Sequence, residues 1–137
     1  MFEFIKSNSI KVDVLQNQIK HISSKQKINE ALSRDGVIGF DILMNKQTMG
    51  FAMLRQYDKN KYFLWNYAID KQFQGKGFGK QALKELILFL QHNYCCEEIT
   101  TTYKMGNDTA KKLYEKLGFK EIEEVYDEQE VDMMLKL

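Results

Sequence analysis

Apolar positions along this chain change their period from block to block, and each period names an element. Met1-Phe2-Glu3-Phe4-Ile5 is a short apolar run of strand length. Between Lys11 and Arg34, Val12, Val14, Leu15, Ile19, Ile22, Ile28, Ala31 and Leu32 recur at roughly helical spacing. Ser23-Ser24 interrupts them with a candidate N-cap, so two short helices are expected there. Residues 37–44 and 49–54 are apolar runs joined by the polar Asn45-Lys46-Gln47-Thr48, and a second polar link, 57–61, leads into the aromatic-rich run 62–69. Together they predict an antiparallel meander. Next, Ala82, Leu83, Leu86, Ile87, Phe89 and Leu90 share most of one helical face. A strand over 98–103 follows, then a helix from about Asp108 to Leu117 that stops at Gly118, then strands over 119–125 and 131–137. The predicted order is β-α-α-β-β-β-α-β-α-β-β, an α/β (α+β mixed) sheet covered by helices rather than a bundle or a sandwich.

Composition narrows what such a sheet could do. At 137 residues and 44% hydrophobic, with no proline and no low-complexity tract, residues 1–137 read as one domain with a real core. The 20 Lys+Arg against 19 Asp+Glu give a net charge of +1, so no nucleic acid or anionic membrane partner is expected, and any anion site must be local. With neither a spanning apolar run nor a leader-like start, a cytoplasmic setting is expected. Cys95 and Cys96 are neighbours, a geometry that strains a disulfide, and they read as free thiols packed at a helix end in a reducing compartment. His21 and His92 lie in different segments, so no metal site is expected.

Candidate chemistry concentrates in Gln74-Gly75-Lys76-Gly77-Phe78-Gly79, three glycines between a strand and a helix. Such a turn is either a tight bend needing positive φ or a cradle of backbone N–H groups for phosphate at a helix N-terminus. The P-loop spacing fails, because only three residues separate Gly75 from Gly79 and Gln81 follows Lys80 where Ser or Thr is needed. The dinucleotide pattern fails at Lys80, where a third glycine is required.

What remains is Gln-x-x-Gly-x-Gly, met by Gln74, Gly77 and Gly79. It resembles the acetyl-CoA pyrophosphate loop of the GNAT superfamily of N-acetyltransferases. The run Asn107 to Phe119 is similar to that family's Asn-x-x-Ala-x-x-x-Tyr-x-x-x-Gly-Phe signature at full spacing. Among subfamilies, LWNYAIDKQFQGKGFGKQAL together with the ending EVDMMLKL is similar to bacterial spermine/spermidine N-acetyltransferases. The resemblance implies the GNAT fold and acetyl transfer from acetyl-CoA to a primary amine of a small molecule, a polyamine such as spermidine or spermine. An acetyltransferase for a protein or aminoglycoside amine, and a non-catalytic acetyl-CoA sensor, are the alternatives.

It also implies roles. Backbone amides of Gln74, Gly75, Lys76, Gly77, Phe78, Gly79 and Lys80 would cradle the pyrophosphate. Tyr67, Ala68 and Ile69, on a strand splayed from its neighbour, would pair with the pantetheine arm, the Ile69 amide polarising the thioester. Asn107 would bond the cosubstrate or cap a helix, or both. Tyr114, two turns on and sharing its face, would protonate the departing thiolate. A homodimer is expected, in part because the apolar 131–137 needs a covering neighbour. Some polyamine-acetylating relatives carry a glutamate base on the central strand, but Leu64-Trp65-Asn66-Tyr67 holds no acid, which favours a water relay. Asp41 and Glu30 are the carboxylates weighed for its far end, each reading also as a solvated surface group. Phe63, Trp65 and Tyr67 alternate toward one face, as a cation–π wall or as core.

Overall fold

The computed structural model describes residues 1–13, 24–125 and 129–137. These form strands β1 (Phe2–Lys6), β2 (Val37–Met44), β3 (Gln47–Asp58), β4 (Lys61–Ile69), β5 (Glu98–Lys104), β6 (Lys120–Val125) and β7 (Glu130–Lys136). Three helices, α1 (Lys25–Ala31), α2 (Phe78–Tyr94) and α3 (Asp108–Lys116), accompany them. The strands make one sheet in the order β1-β2-β3-β4-β5-β7-β6, antiparallel throughout except for β4 and β5. That pair is parallel because the connection between its strands is a helical crossover, α2, rather than a hairpin.

The first expected helix falls mostly on residues outside the described ones. The second is α1, capped by the Ser24 hydroxyl, which accepts from the Lys27 amide. β3 runs longer than its apolar core because the β2–β3 hairpin turns on only Asn45 and Lys46, both at positive φ. Such a turn matches the strand twist and lets the ladder start at Gln47. At Gly39 of β2, an added Cβ would stand 2.5 Å from Leu32 and 2.9 Å from the Ser7 carbonyl, so only glycine lets these segments approach. The apolar 131–137 finds its cover within the chain: β7 lies between β5 and β6, with Val131 and Met133 buried. Its exposure is therefore no argument for a dimer.

Two clusters sit on opposite faces of the sheet. On one, α2 buries Ala82, Leu83, Leu86, Ile87 and Leu90 against Leu54, Leu64, Ile99 and Met133, with Tyr114 and Phe119 at its edge. On the other, α1 packs Ile28 and Ala31 against Phe51, Met53 and Ala68. Each large side chain so buried contributes roughly 1.5–3 kcal/mol. The register between β3 and β4 slips where Met53 faces Asn66 but Leu54 faces Leu64, leaving Trp65 as the extra residue of a bulge. Phe63, Trp65 and Tyr67 therefore do not share a face. Trp65 packs toward the α1 cluster, whereas Tyr67 packs toward the α2 cluster. No helix among the described residues is long and apolar enough to cross a membrane.

Candidate active site

Beyond the bulge the centre of the sheet opens. The β4–β5 ladder ends at Leu64 opposite Thr101, and the Thr101 hydroxyl donates to the Leu64 carbonyl at 3.0 Å, closing the apex of a V. A cleft of about 680 Å³ occupies the opening, walled by Trp65 to Ile69 on one side and Thr102 to Lys104 on the other. The Ala68 carbonyl points toward β3, lying 3.0 Å from where a Gly50 Cβ would stand. Backbone groups alternate along a strand, so those of Tyr67 and Ile69 point to the edge that β5 has left. Of the three candidates on β4, Ala68 alone turns its backbone away from the cleft. The Ile69 carbonyl accepts from Gln74 Nε2 at 2.8 Å, which ties the glycine turn to the end of β4.

The turn itself fits an anion. Gly77 is the N-cap of α2 at φ 81°, with no side-chain capping bond and no acidic residue in the first turn. An added Cβ at Gly75 or Gly77 would meet nothing within 4 Å, so the fold's packing does not demand these glycines. Their left-handed backbone does, and the positive end of the 17-residue helix that follows is left without a side-chain cap. Tyr67 fixes this helix end by donating its hydroxyl to the Gly79 carbonyl at 2.6 Å. The rings of Phe2 and Phe73 meet Phe78 edge-on and hold it inward, so only its backbone belongs to the turn. Lys76 within the turn and Lys80 just after it are exposed.

Across the cleft, Asn107 caps α3 by accepting from the Ala110 amide at 3.2 Å, and it also lines the cavity. Tyr114 lines the same cavity, is 8% exposed, and leans on Phe119 at 5.4 Å between centroids. Burial pushes its phenol above the usual tyrosine range, and the Thr101 side chain beside it offsets part of that rise. Burial raises Tyr67 as well. At neutral pH both are protonated.

The carboxylates weighed from sequence stand elsewhere. Asp41 is not solvated: it is 8% exposed on β2, with Oδ2 taking the Lys11 ammonium at 2.7 Å, outside the cleft lining. Glu30 is exposed on α1, accepts from Gln26, and borders a separate hollow shared with Arg34 and Trp65. The Arg34 guanidinium lies 5.8 Å above the Trp65 ring. Cys95 is exposed at the end of α2 and only Cys96 is buried. Among the described residues, no group of three or more His, Cys, Asp and Glu is gathered for a metal. Sequence reasoning passed over Asn66, 7% exposed in the cleft wall, whose buried Nδ2 has no acceptor among the described residues. It also passed over Glu130, the one carboxylate among the described residues lining the cleft. Its place beside the core residue Val131 was the available signal.

A splayed parallel strand pair, a bare glycine turn at a helix start and a buried phenol thus meet in one cleft. Residues 13–119 match the family model described as acetyltransferase (GNAT) family, and the chain belongs to that family of acetyl-CoA-dependent N-acetyltransferases. Over 114 residues it is 33% identical to a probable spermine N(1)-acetyltransferase of Bacillus subtilis subsp. natto (strain BEST195), covering 77% of this chain and 75% of that protein. The structure of a GNAT family acetyltransferase from Elizabethkingia anophelis with acetyl-CoA bound superposes with a TM-score of 0.75 at 16% identity, over 99% of this chain and 98% of that one. A dodecameric spermidine N-acetyltransferase from Vibrio cholerae gives 0.69 at 18% identity, over 82% and 74%. At such identities the two structures speak for the fold alone.

Proposed function

We propose that this chain transfers the acetyl group of acetyl-CoA to a primary amine of a small polycation such as spermidine or spermine, by direct attack in a ternary complex. The observation that carries the donor half is one cleft holding a free strand edge, an uncapped glycine turn and a buried phenol. Amides from Gln74 through Lys80 bind the pyrophosphate, and Lys76 and Lys80 add charge. Tyr67 and Ile69 receive the pantetheine arm as they would an added strand, and the Ile69 amide polarises the thioester carbonyl. Asn107 spends its carbonyl on the helix cap and keeps its amide nitrogen for the cosubstrate. In the transfer, the acceptor enters as the neutral amine, its nitrogen bonds the acetyl carbon, the carbon–sulfur bond breaks, and Tyr114 gives its proton to the leaving thiolate. The proton shed by the nitrogen passes to water in the cleft, from which Tyr114 is reprotonated.

The acceptor half is supported by the relatives, a probable spermine acetyltransferase at 33% identity among them. The assembly of the Vibrio cholerae neighbour makes self-association of this chain a further part of the reading, open to light scattering. The deciding experiment measures CoA release from acetyl-CoA across spermidine, spermine, diamines, lysine peptides and an aminoglycoside, with Gly77→Glu as the variant whose charge and bulk block the pyrophosphate site. Turnover highest with polyamines and lost in Gly77→Glu is expected. An acetyl-CoA melting shift without turnover of any amine would replace this reading with a sensing module.

A further inference from the structure

Glu130 and Lys104 face each other across β7 and β5 at the rim of the cleft, with Lys104 Nζ 2.6 Å from Glu130 Oε1. Both line the cavity, and they are the only carboxylate and the only ammonium among the described residues that do. Val131 and Tyr103, their chain neighbours, point into the core under α2 and α3. The alternation of a strand therefore turns Glu130 and Lys104 to the opposite face, the face of Trp65 and Ala68. The glycine turn and α2 claim the first face for the donor, so an acceptor amine reaches the thioester from the second. Lys104 is a primary alkylammonium, the group a polyamine carries, and its side chain is half exposed, while that of Glu130 is mostly covered.

Resting on the reading above, we infer that Glu130 is the anchoring carboxylate for a second ammonium of the acceptor, and that Lys104 is a built-in occupant which the acceptor displaces. Distance makes the anchored group the remote one. β7 is two strands from β4, about 10 Å at ordinary strand spacing and more across a splay, beyond the reach of the reacting nitrogen but within an extended triamine. Glu130 thereby selects acceptors by length and charge rather than taking part in the chemistry.

The test is steady-state kinetics at saturating acetyl-CoA with spermidine and with butylamine, which has no second cation, for wild type, Glu130→Gln and Lys104→Met. Glu130→Gln raises KM for spermidine roughly tenfold, the size of one charge-assisted hydrogen bond, with a smaller effect on kcat and no comparable shift for butylamine. Lys104→Met lowers KM for spermidine about two- to fivefold, because it removes a competing exposed ion pair. Opposite signs from the two partners of one ion pair are the signature, since a pair that only braces β5 against β7 gives equal losses of melting temperature and unchanged KM. An unchanged spermidine KM in Glu130→Gln, or an equal shift for butylamine, overturns this inference alone. Wild-type enzyme that acetylates neither amine overturns the amine reading and this inference with it.

Discussion

Tyr114 shows how one side chain acquires a chemical task from its surroundings. An exposed phenol would begin to ionise near pH 10, but Tyr114 is buried and held above that range, so it stays a proton donor wherever the enzyme can work. Tyr114→Phe keeps the ring, its contact with Phe119 and the cleft shape, and removes only the proton. Turnover should fall about 10²-fold or more while acetyl-CoA affinity by calorimetry changes less than about twofold. The acceptor amine, with a pKa near 10.4, must be neutral to attack, so wild-type kcat/KM should rise from pH 7 toward pH 9 with no descending limb from Tyr114 in that interval. A Phe variant with wild-type turnover across that range would remove the phenol from the mechanism. The position of this residue is legible in the sequence, because seven residues carry Asn107 onto Tyr114 along one helix face. Its elevated pKa is not, since that comes from burial in the folded chain, with Phe119 against the ring, and the Thr101 side chain offsets only part of the rise.

At the scale of elements, α2 and α3 begin differently for opposite purposes. Gly77 leaves the start of α2 without a side-chain cap, whereas Asn107 satisfies the start of α3. Two roles overlap at Asn107, and two variants separate them. Asn107→Ala removes the cap and should cost about 1 kcal/mol, read as a lower melting temperature. Asn107→Asp keeps the capping oxygen but loses the amide donor and adds a charge, so stability should hold while acetyl-CoA binding weakens severalfold. Equal affinity in the Asp variant would confine Asn107 to capping. The strands were legible in place but not in the facing of every residue. The slip at Trp65 leaves no local mark in LWNYAI, yet it moves Tyr67 to the opposite face from the one simple alternation assigns it.

For the whole molecule, the core bears on pH. Cys96 is buried, and its thiol is pushed from 9.0 to about 11, while burial also raises Tyr62, Tyr67, Tyr94 and Tyr114 above 10.0. Each group is held neutral by the fold, so its folded pKa exceeds its unfolded one. The stability it lends is complete below the unfolded value and is lost as pH climbs through the folded value. Melting temperature should therefore hold to about pH 9 and then fall, first through Cys96 and above pH 10 through the tyrosines as well. Cys96→Ala should soften the first part of that fall. A wild-type curve flat to pH 11 would mean these groups are equally solvated when unfolded and folded.

Features governed by neighbours in the chain were open to reading from the residues alone: the glycine turn and the helix it starts, the Asn107 cap, the Gly118 stop, the period of α2. Their physics is short-ranged, set by φ preference and by contacts three or four residues apart. The destination of Asp41 beside Lys11, the cover over 131–137 from β5 and β6, the bulge at Trp65 and the meeting of Lys104 with Glu130 came only with the tertiary structure. Each rests on the register of strands distant in sequence, where a slip of one residue exchanges the two faces of a sheet.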